Sequence, residues 1–340
     1  MAGEYAPEVV ADLELMVARS LPCWKLSSAT TISLLNLSEN ATFVLSEPIP
    51  KRDLVLRVHR EGYCSAEEIR SELAWIDALR RDGVIDTAAP VPGSNGEWVQ
   101  RLESLPGRAS RYAVAFERLP GREPDARTDA ARWFERLGEL SAKMHRHARS
   151  WTLPAGFCRK RWDFEAMVGP KGYWGSWRDA IGLDRRRIAA LERALSFIQR
   201  RLERFGTGPE RFGLVHADLR LANLLVDGTH LRIIDFDDCG FSWFVYDFAT
   251  AVSFIEHDPL LPELLQAWTT GYRRIAPLSA EDRAEIPTFV VLRRILLMAW
   301  LASHPEVPFA RQFGETHTAD TVRLAQGLLQ GRFLGSTCGA

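Results

Sequence analysis

The chain has 340 residues, with 43 Lys or Arg against 44 Asp or Glu and a formal net charge of −1 at pH 7. This length suits two domains that each bury an apolar core. The balanced charge argues against the basic field of a nucleic-acid-binding protein and against an acidic, disordered chain. Five cysteines without a Cys-x-x-Cys pair predict reduced thiols in the cytoplasm, not a disulfide framework or a zinc site.

Neither a secretion signal nor a membrane partner is predicted. The N-terminus carries acidic residues such as Glu4 and Glu8, where a signal peptide would have a basic region and then an uninterrupted apolar one. The most apolar late stretch, residues 286–302, holds Arg293 and Arg294 at its middle. A charge pair at that depth of a bilayer is costly, so the stretch is predicted to be a buried helix of a globular domain.

The first third of the chain predicts a small α+β domain. Apolar spacing, β-rich runs and turn residues give these elements in chain order: a helix over residues 7–21, strands over 30–37, 41–46 and 54–59, a helix from Ser65 to about Arg81, and strands around 84–91, 98–102 and 112–117. Turn residues at 118–121 then break the sheet. The first domain is therefore predicted to span residues 1–117, and the second residues 118–340.

The second domain is predicted to be mainly helical. Apolar stripes at helical spacing predict helices around residues 133–144 and 188–202, and further helices near 246–256, 262–275, 280–302 and 319–329. Between the first two stripes lies an aromatic, Gly-rich segment, residues 161–177, which includes Trp174 and Trp177. Such a segment can wall a ligand site or seal the core between helices, and the pattern does not decide between these two roles.

One polar loop combines several side chains that can bind metal or transfer protons. It follows a short apolar strand and carries His216, Asp218, Arg220 and Asn223. A hairpin then returns the chain, so Asp235 is expected to lie close to Asn223. Phosphoryl transfer needs a carboxylate to orient or deprotonate the attacking hydroxyl, and oxygen ligands for the Mg²⁺ that bridges the phosphates. Asp218 fits the first role, and Asn223 with Asp235 fits the second.

These residues resemble the protein-kinase-like superfamily, in particular the aminoglycoside phosphotransferase group of small-molecule kinases. That group includes homoserine-kinase-type, choline-kinase-like and hydroxylysine-kinase-like enzymes and bacterial stress-response protein kinases. Its catalytic loop, H-x-D-x-x-x-x-N, is matched by His216, Asp218 and Asn223, and its metal-binding Asp by Asp235. Asp247 matches a family Asp that braces this loop. The resemblance implies a bilobal α+β fold, with a small antiparallel-sheet N-lobe and a larger, mainly helical C-lobe.

The resemblance also implies ATP as the phosphoryl donor, with GTP as the other candidate, and residues of the first domain that bind it. Arg57 lies where kinases usually carry a phosphate-binding Lys, and a guanidinium can hold phosphate oxygens bidentately. The alternative for Arg57 is an exposed strand cation. Glu72 would pair with Arg57 as the family's helix glutamate does. Glu67 and Glu68 are the rivals, because acidic side chains also suit a helix start.

The glycine-rich phosphate loop of many kinases is missing from this chain. Between the first two strands of the sheet, Ser38 or Asn40 with backbone N–H groups would meet the phosphates instead, although an ordinary hairpin turn explains this segment equally well. The segment after the last strand of the first domain corresponds to the kinase hinge. There the backbone around Glu117 and Leu119 would form hydrogen bonds with adenine.

Further site residues are implied in the second domain. His216 would act beside Asp218, and Arg220 matches a position where kinases often keep a cation for the γ-phosphate, with a surface salt bridge as the alternative. Asp237 would assist the metal or bind a substrate amine. Together with the aromatic residues Trp174 and Trp177, it forms the candidate site for the phosphoryl acceptor.

The chain is therefore predicted to be an ATP-dependent kinase that phosphorylates a hydroxyl of a small molecule, such as an amino alcohol, an amino acid or an aminoglycoside. Two alternatives stay open: a Ser/Thr protein kinase of the bacterial stress-response type, and a non-catalytic nucleotide-binding regulator. The short span from Asp235 to Tyr246 does not resemble a long activation segment, which favours a small-molecule acceptor. Neither the identity of the acceptor nor the oligomeric state follows from the sequence.

Overall fold

A computed structural model of the protein describes residues 7–37, 40–103, 107, 109–125, 128–305 and 308–334. The chain divides into two compact units. The first comprises Met1–Pro120 with Leu153–Arg159, and the second comprises Gly121–Thr152 with Lys160–Ala340. The division lies close to the predicted boundary after residue 117, while the short segment Leu153–Arg159, which the prediction assigned to the second domain, belongs to the first unit.

The first unit contains an antiparallel sheet and two α-helices. Its elements are α1 (Pro7–Ser20), a 3₁₀ turn (Leu21–Trp24), β1 (Thr31–Leu37), β2 (Ala41–Pro48), β3 (Lys51–Val58), α2 (Ala66–Arg81), β4 (Pro90–Val91), β5 (Gln100–Leu102) and β6 (Arg111–Glu117). The strand order is β1-β2-β3-β6-β4, with β5 also paired to β6. Alternate residues of β2, beginning with Ala41 and Phe43, are buried, as expected for a strand with one face on a core. Ala41, Phe43 and Leu45 pack in one apolar cluster with Leu13 and Val17 of α1.

The predicted strand over residues 84–91 is reduced to Pro90–Val91. Its first residue, Val84, instead donates its backbone N–H to the carbonyl of Leu79 and closes the end of α2 (2.9 Å). Pro90 and Pro92 lack the N–H donors that a longer sheet ladder would need. Local chain reversal and proline therefore override the apolar pattern in this segment.

The second unit is mainly helical. Its elements are α3 (Ala130–Ser150), α4 (Phe164–Val168), α5 (Arg185–Phe205), β7 (Phe212–Val215), β8 (Leu224–Asp227), β9 (His230–Ile233), β10 (Gly240–Trp243), α6 (Tyr246–Ala251), α7 (Leu261–Ile275), α8 (Ala280–Ser303) and α9 (Pro308–Leu329), with 3₁₀ turns at Trp177–Asp179 and Leu221–Asn223. Strand β7 pairs with β10, and β8 pairs with β9, both antiparallel. The predicted α+β class, with an antiparallel sheet followed by a mainly helical region, is confirmed.

Helix α8 is the central helix of the second unit. Among the described residues it is the one helix that is long and apolar enough to cross a membrane by length and composition, and 83% of its most apolar window is buried inside the fold. It packs against α4, α5, α6 and α9. Arg293 and Arg294 at its middle are each 2% exposed, so both cations must find partners within the protein.

Helices α3 and α7 approach closely at two glycines. A Cβ added at Gly271 would overlap the carbonyl oxygen of Glu135, and one added at Gly138 would overlap that of Trp268. This close packing brings His145 of α3 and Tyr272 of α7 into contact, with the Tyr hydroxyl 3.1 Å from His145 Nδ1. The two glycines therefore help to position side chains that lie behind the polar loop after β7.

Replacement of Gly271 by Ala is expected to lower the free energy of unfolding by about 3 kcal/mol, because the added methyl forces α3 and α7 apart. The matched control is Gly314→Ala in α9, where the new Cβ would meet only Ile181 Cδ1, at 3.8 Å. Ala favours a helix over Gly by up to about 1 kcal/mol, so this control should be neutral or stabilising. Urea unfolding of both variants measures the difference. Equal stability of the two variants would contradict the close packing of α3 and α7.

Candidate active site

The H-x-D-x-x-x-x-N motif lies on the turn between β7 and β8. Leu224 at the start of β8 lies opposite Ile233 at the end of β9. The next residue, Ile234, donates its N–H to the carbonyl of Asn223 (2.9 Å). The hairpin therefore brings the backbone of Asp235, which follows Ile234, next to that of Asn223.

Two residues of this region have a left-handed backbone: Ala217 (φ 66°) and Asp235 (φ 63°). Positive φ is uncommon outside glycine and costs about 1–3 kcal/mol at each position. Such strain persists only where the surroundings hold it, and it clusters at functional sites. Ala217 separates His216 from Asp218, so its conformation sets the directions of both motif side chains.

Asp247, at the start of α6, braces the strained turn. Its Oδ1 accepts the N–H of Ala217 (2.8 Å), and its Oδ2 accepts the N–H of His216 (3.3 Å). The same Oδ2 lies 2.8 Å from Nε2 of His145, and both side chains are fully buried. Two residues after Ala217, the Leu219 N–H donates to Thr250 Oγ1 (2.9 Å). These contacts agree with the bracing role that the resemblance implies for Asp247.

The sequence pattern did not single out the second set of bracing residues, His145, Thr250 and Tyr272. They lie on α3, α6 and α7, and no motif or spacing connects them with the loop. Their shared feature is burial of a polar side chain, since each of the three is at most 1% exposed. Buried polar groups need hydrogen-bond partners, but the sequence does not say which ones.

His216 is a buried part of the turn. Its Nδ1 accepts the N–H of Asp218 (3.2 Å), so Nε2 carries the proton and donates to the carbonyl of Ile234 (3.1 Å). Burial lowers the pKa of His216, although Asp247 and Asp218 oppose this shift. The imidazole is therefore neutral and ties the loop to the end of β9. These bonds support a positioning role for His216 and give it no free nitrogen for proton transfer to a substrate.

The Asp218 carboxylate is surrounded by donors. Oδ1 accepts from Arg293 Nη2 (2.7 Å), while Oδ2 accepts from Asn223 Nδ2 (2.7 Å) and Arg220 Nε (3.2 Å). Burial opposes ionisation of Asp218, but Arg220 and Arg293 outweigh it and hold the pKa of this carboxyl below its usual range. Asp218 is therefore a carboxylate at neutral pH, with its side chain 15% exposed. The sequence left open whether Arg220 serves the γ-phosphate or forms a surface salt bridge. In the structure Arg220 forms an ion pair with Asp218 itself.

The donor set next to Asp218 suits Mg²⁺. Asn223 Nδ2 donates both to Asp218 Oδ2 and to the Asp218 carbonyl (2.8 Å), so both amide protons are used and Oδ1 is the atom left for a metal. Asp235, whose backbone follows the Ile234–Asn223 hydrogen bond, is exposed and has a carboxylate side chain. The described part of the chain contains no cluster of three or more His, Cys, Asp or Glu side chains suited to a metal ion. Mg²⁺ often takes one or two carboxylates and completes its shell with phosphate oxygens and water, which fits this small oxygen set.

The predicted acceptor residues differ in their surroundings. Trp174 is 6% exposed, and its ring lies over the guanidinium of Arg293, with 5.1 Å between Cζ and the ring centroid. It is thus connected to Asp218 through one side chain. Trp177 is 1% exposed and begins a 3₁₀ turn that packs against α8, which matches the core-sealing role that the sequence left open. Asp237 is also buried, at 7% exposure.

The first unit fixes Arg57 with an ion pair. Its Nη2 lies 2.6 and 2.7 Å from the two carboxylate oxygens of Glu72, and Glu72 is fully buried. The rival glutamates have other roles at the start of α2. Glu68 forms a capping box with Ser65, and Glu67 contacts an exposed arginine, Arg70. The partner of Arg57 is therefore Glu72, while a phosphate-binding role for Arg57 stays a prediction.

The remaining predicted nucleotide-binding residues lie on loops and edges of the first unit. Asn40 Oδ1 accepts the backbone N–H of Arg60 (3.1 Å), so this side chain holds its own loop. Ser38 lies outside the described residues. In the predicted hinge, the Glu117 N–H donates to the carbonyl of Ala89 (2.9 Å). Glu117 could therefore offer a base its carbonyl oxygen but not its N–H.

Comparison with known proteins gives the family. A family model described as "Phosphotransferase enzyme family" matches residues 32–278. The structure of a microcompartment-associated aminopropanol kinase is similar, with 42% sequence identity, a TM-score of 0.88, and coverage of 95% of this chain and 100% of that one. Amicoumacin kinase of Bacillus subtilis (strain 168) is 28% identical over 258 residues, 73% of each chain.

A solved amicoumacin kinase in complex with AMP-PNP, Ca²⁺ and Ami shares the fold, with a TM-score of 0.78 at 21% identity over 96% of both chains. The resemblance and the enzyme class inferred from His216, Asp218, Asn223 and Asp235 are therefore confirmed. Since the family model matches well over half of the chain, this protein belongs to the phosphotransferase enzyme family and is a kinase.

Proposed function

We propose that this kinase transfers the γ-phosphoryl group of ATP to a hydroxyl of a small molecule, with an amino alcohol as the first candidate. The observation that carries the proposal is the Asp218 carboxylate, held ionised by Arg220, Arg293 and Asn223 at the centre of the family motif. The acceptor class is supported by the relative named aminopropanol kinase, at 42% identity over nearly the whole chain. None of the four cysteines that the structure describes is joined in a disulfide, which supports a cytoplasmic location.

In the proposed reaction, the acceptor hydroxyl donates a hydrogen bond to Asp218 while its oxygen attacks the γ-phosphorus. A bond forms between that oxygen and phosphorus, and the bond from phosphorus to the β–γ bridging oxygen breaks, so that ADP leaves with the electron pair. The hydroxyl proton passes to Asp218. Because the transition state of phosphoryl transfer is loose, the hydroxyl need not be deprotonated before the attack. A carboxylate that stays ionised is therefore suited to orient the hydroxyl and to take its proton late.

Asn223, through Oδ1, and the Asp235 carboxylate would hold Mg²⁺. When bound, Mg²⁺ would neutralise the negative charge that develops on the phosphate groups during transfer. The left-handed backbone at Asp235 (φ 63°) supports a functional role, since strain of this kind is retained where it serves a site. Asp237 would assist the metal or bind a substrate amine.

In the first unit, we propose that Arg57 binds a phosphate oxygen of the nucleotide. Glu72 fixes Nη2 of Arg57, so the guanidinium is oriented before the nucleotide arrives. Adenine would meet the backbone at residues 117–119. Because the N–H groups of Glu117 and Arg118 already donate within the unit, Leu119 would supply the donor to the base and Glu117 the acceptor.

The test is an assay of γ-phosphate transfer from ATP to amino alcohols such as 1-amino-2-propanol, to amino acids with a side-chain hydroxyl, to aminoglycosides and to a generic protein substrate. Transfer to a small molecule, with the amino alcohols phosphorylated at the highest kcat/KM, is expected. Exclusive labelling of protein would replace the proposal with a protein kinase. Nucleotide binding without any ATP turnover would replace it with a regulatory role.

Replacement of Asp235 by Asn is expected to raise the Mg²⁺ concentration for half-maximal activity by about 10–100-fold, because the amide keeps the shape but not the charge of the proposed ligand. The matched control is Asp227→Asn at the opposite end of the same hairpin, where Asp227 is half-exposed and pairs with Arg232. Its Mg²⁺ dependence should equal that of the wild type. An unchanged Mg²⁺ titration for Asp235→Asn would remove Asp235 from the metal site.

A further inference from the structure

A buried arginine outside the family motif, Arg293 of α8, contacts the carboxylate of Asp218. Its guanidinium donates through Nη2 to Asp218 Oδ1 (2.7 Å), through Nη1 to Tyr246 Oη (3.2 Å) and through Nε to Ser253 Oγ (3.3 Å). The ring of Trp174 covers the guanidinium at 5.1 Å. The Arg293 side chain is 3% exposed, so these four contacts fix both its position and the plane of its fork.

The hydrogen bonds of Asp218 identify the oxygen that is open to a substrate. Each carboxylate oxygen has two lone pairs. Oδ2 accepts from both Asn223 and Arg220, so its two positions are filled. Among the described residues, Oδ1 accepts a hydrogen bond from Arg293 alone, so one of its two lone pairs can still accept a hydrogen bond. A hydroxyl that donates to Asp218 must therefore approach Oδ1, the oxygen that Arg293 holds.

The three donors to Asp218 differ in what anchors them. Arg220 and Asn223 belong to the same loop as Asp218, so they move with it. The Arg220 side chain is also 37% exposed, and water can compete for its contacts. Arg293 comes from α8, the mostly buried central helix of the second unit. It is therefore the contact that ties the carboxylate to the rigid scaffold, as a precise site requires.

We propose that Arg293 is a positioning residue: it fixes the Asp218 carboxylate so that the acceptor hydroxyl binds on Oδ1, beside Arg293 Nη2. This inference rests on the proposed function, since it takes Asp218 as the group that orients the hydroxyl. Without the guanidinium, the carboxylate can rotate and Oδ1 no longer defines the line of attack. A displacement of about 1 Å at a reacting centre can cost about 10²-fold in rate. The loss should appear in kcat, because the nucleotide contacts proposed for the first unit do not involve Arg293.

The neighbouring residue Arg294 provides a matched control. It is equally buried, at 2% exposure, and lies on the same helix. Its partners form a separate network, in which it pairs with Glu256 and donates through Nε to Thr321 Oγ1 (3.2 Å). Lysine at either position keeps the positive charge but loses the planar fork. The two substitutions are therefore alike in chemistry and burial, and they differ in contact with the catalytic loop.

The experiment compares Arg293→Lys with Arg294→Lys by kcat, by KM for ATP and by urea unfolding. For Arg293→Lys, kcat is expected to fall at least about tenfold, equivalent to about 1.4 kcal/mol, with KM for ATP within about twofold of the wild type. For Arg294→Lys, kcat should stay within about twofold at temperatures where the variant is folded. Wild-type kcat in Arg293→Lys, or equal losses in both variants, would overturn the positioning role.

Two further measurements test the role of Arg293 when no acceptor is phosphorylated or when the lysine variants do not fold. ADP formation with water as acceptor is recorded for every variant, so Arg293 is tested even when no small molecule in the panel is phosphorylated by the wild type. Such a result would contradict the proposed acceptor class and not the role of Arg293. If the lysine variants do not fold, Tyr246→Phe removes the acceptor of Arg293 Nη1 while leaving the cation. A lower kcat at unchanged AMP-PNP affinity supports the proposal, and an unchanged kcat rejects it.

Discussion

Replacement of Asp218 by Asn is expected to lower kcat by about 10²–10⁴-fold, with AMP-PNP affinity close to that of the wild type. The amide has the size of the carboxylate, but one of its two ends is a donor. All three neighbours of Asp218, namely Arg220, Asn223 and Arg293, are donors as well. The amide oxygen will take the Oδ2 position, where two donors meet. The NH₂ group then lies at Oδ1, opposes Arg293 and cannot accept a hydroxyl proton.

Initial rates of ADP formation, together with calorimetric titration of AMP-PNP, measure this loss. Asp227→Asn on the same hairpin makes the same chemical change at a half-exposed site and should keep the wild-type rate. Circular dichroism at the assay temperature establishes that the Asp218 variant is folded, which matters because the substitution leaves Arg293 buried without its counter-ion. A folded Asp218→Asn enzyme with wild-type kcat would refute the mechanism.

The part of the site that the sequence predicts is the part built from local structure. Asn223 and Asp235 are separated by one hairpin, and the turn at Asp227–Gly228 fixes which residues of the two strands are opposite each other. The motif spacing therefore determines the geometry before any long-range contact is known. The local sequence also favours Glu72 over Glu68 as the partner of Arg57. Ser65 followed three residues later by Glu68 is the signature of a capping box, so Glu68 already has a role at the start of α2.

The contacts that the sequence does not predict are those between elements far apart in the chain. The pattern of α8 indicates burial but not what its two central cations face. The side chains of adjacent helical residues point about 100° apart, so Arg293 and Arg294 contact different neighbours. One contacts Asp218 and the other Glu256. Hydrophobic periodicity reports that a face is buried, and it carries no information about which distant residue lies against it.

Replacement of Asp247 by Ala is expected to lower the free energy of unfolding by about 3–5 kcal/mol and to reduce kcat sharply. The substitution leaves the N–H groups of His216 and Ala217 without their acceptor, and it removes the partner of His145 Nε2. Each buried donor left unpaired costs about 1–3 kcal/mol. The left-handed conformation of Ala217 then has less to hold it, so the loop relaxes and Asp218 moves.

A matched control for Asp247→Ala is Asp184→Ala, which also removes a carboxylate that accepts a backbone N–H, that of Arg187 at the start of α5 (2.7 Å). Loss of this exposed cap should cost about 1 kcal/mol and leave kcat unchanged. Urea unfolding and initial rates of both variants give the comparison. If Asp247→Ala lost stability but kept the wild-type kcat, the turn at Ala217 would not depend on its brace. Asp218 would then be oriented by its contacts with Arg220, Asn223 and Arg293 alone, and the effect of Arg293→Lys on kcat should be correspondingly larger.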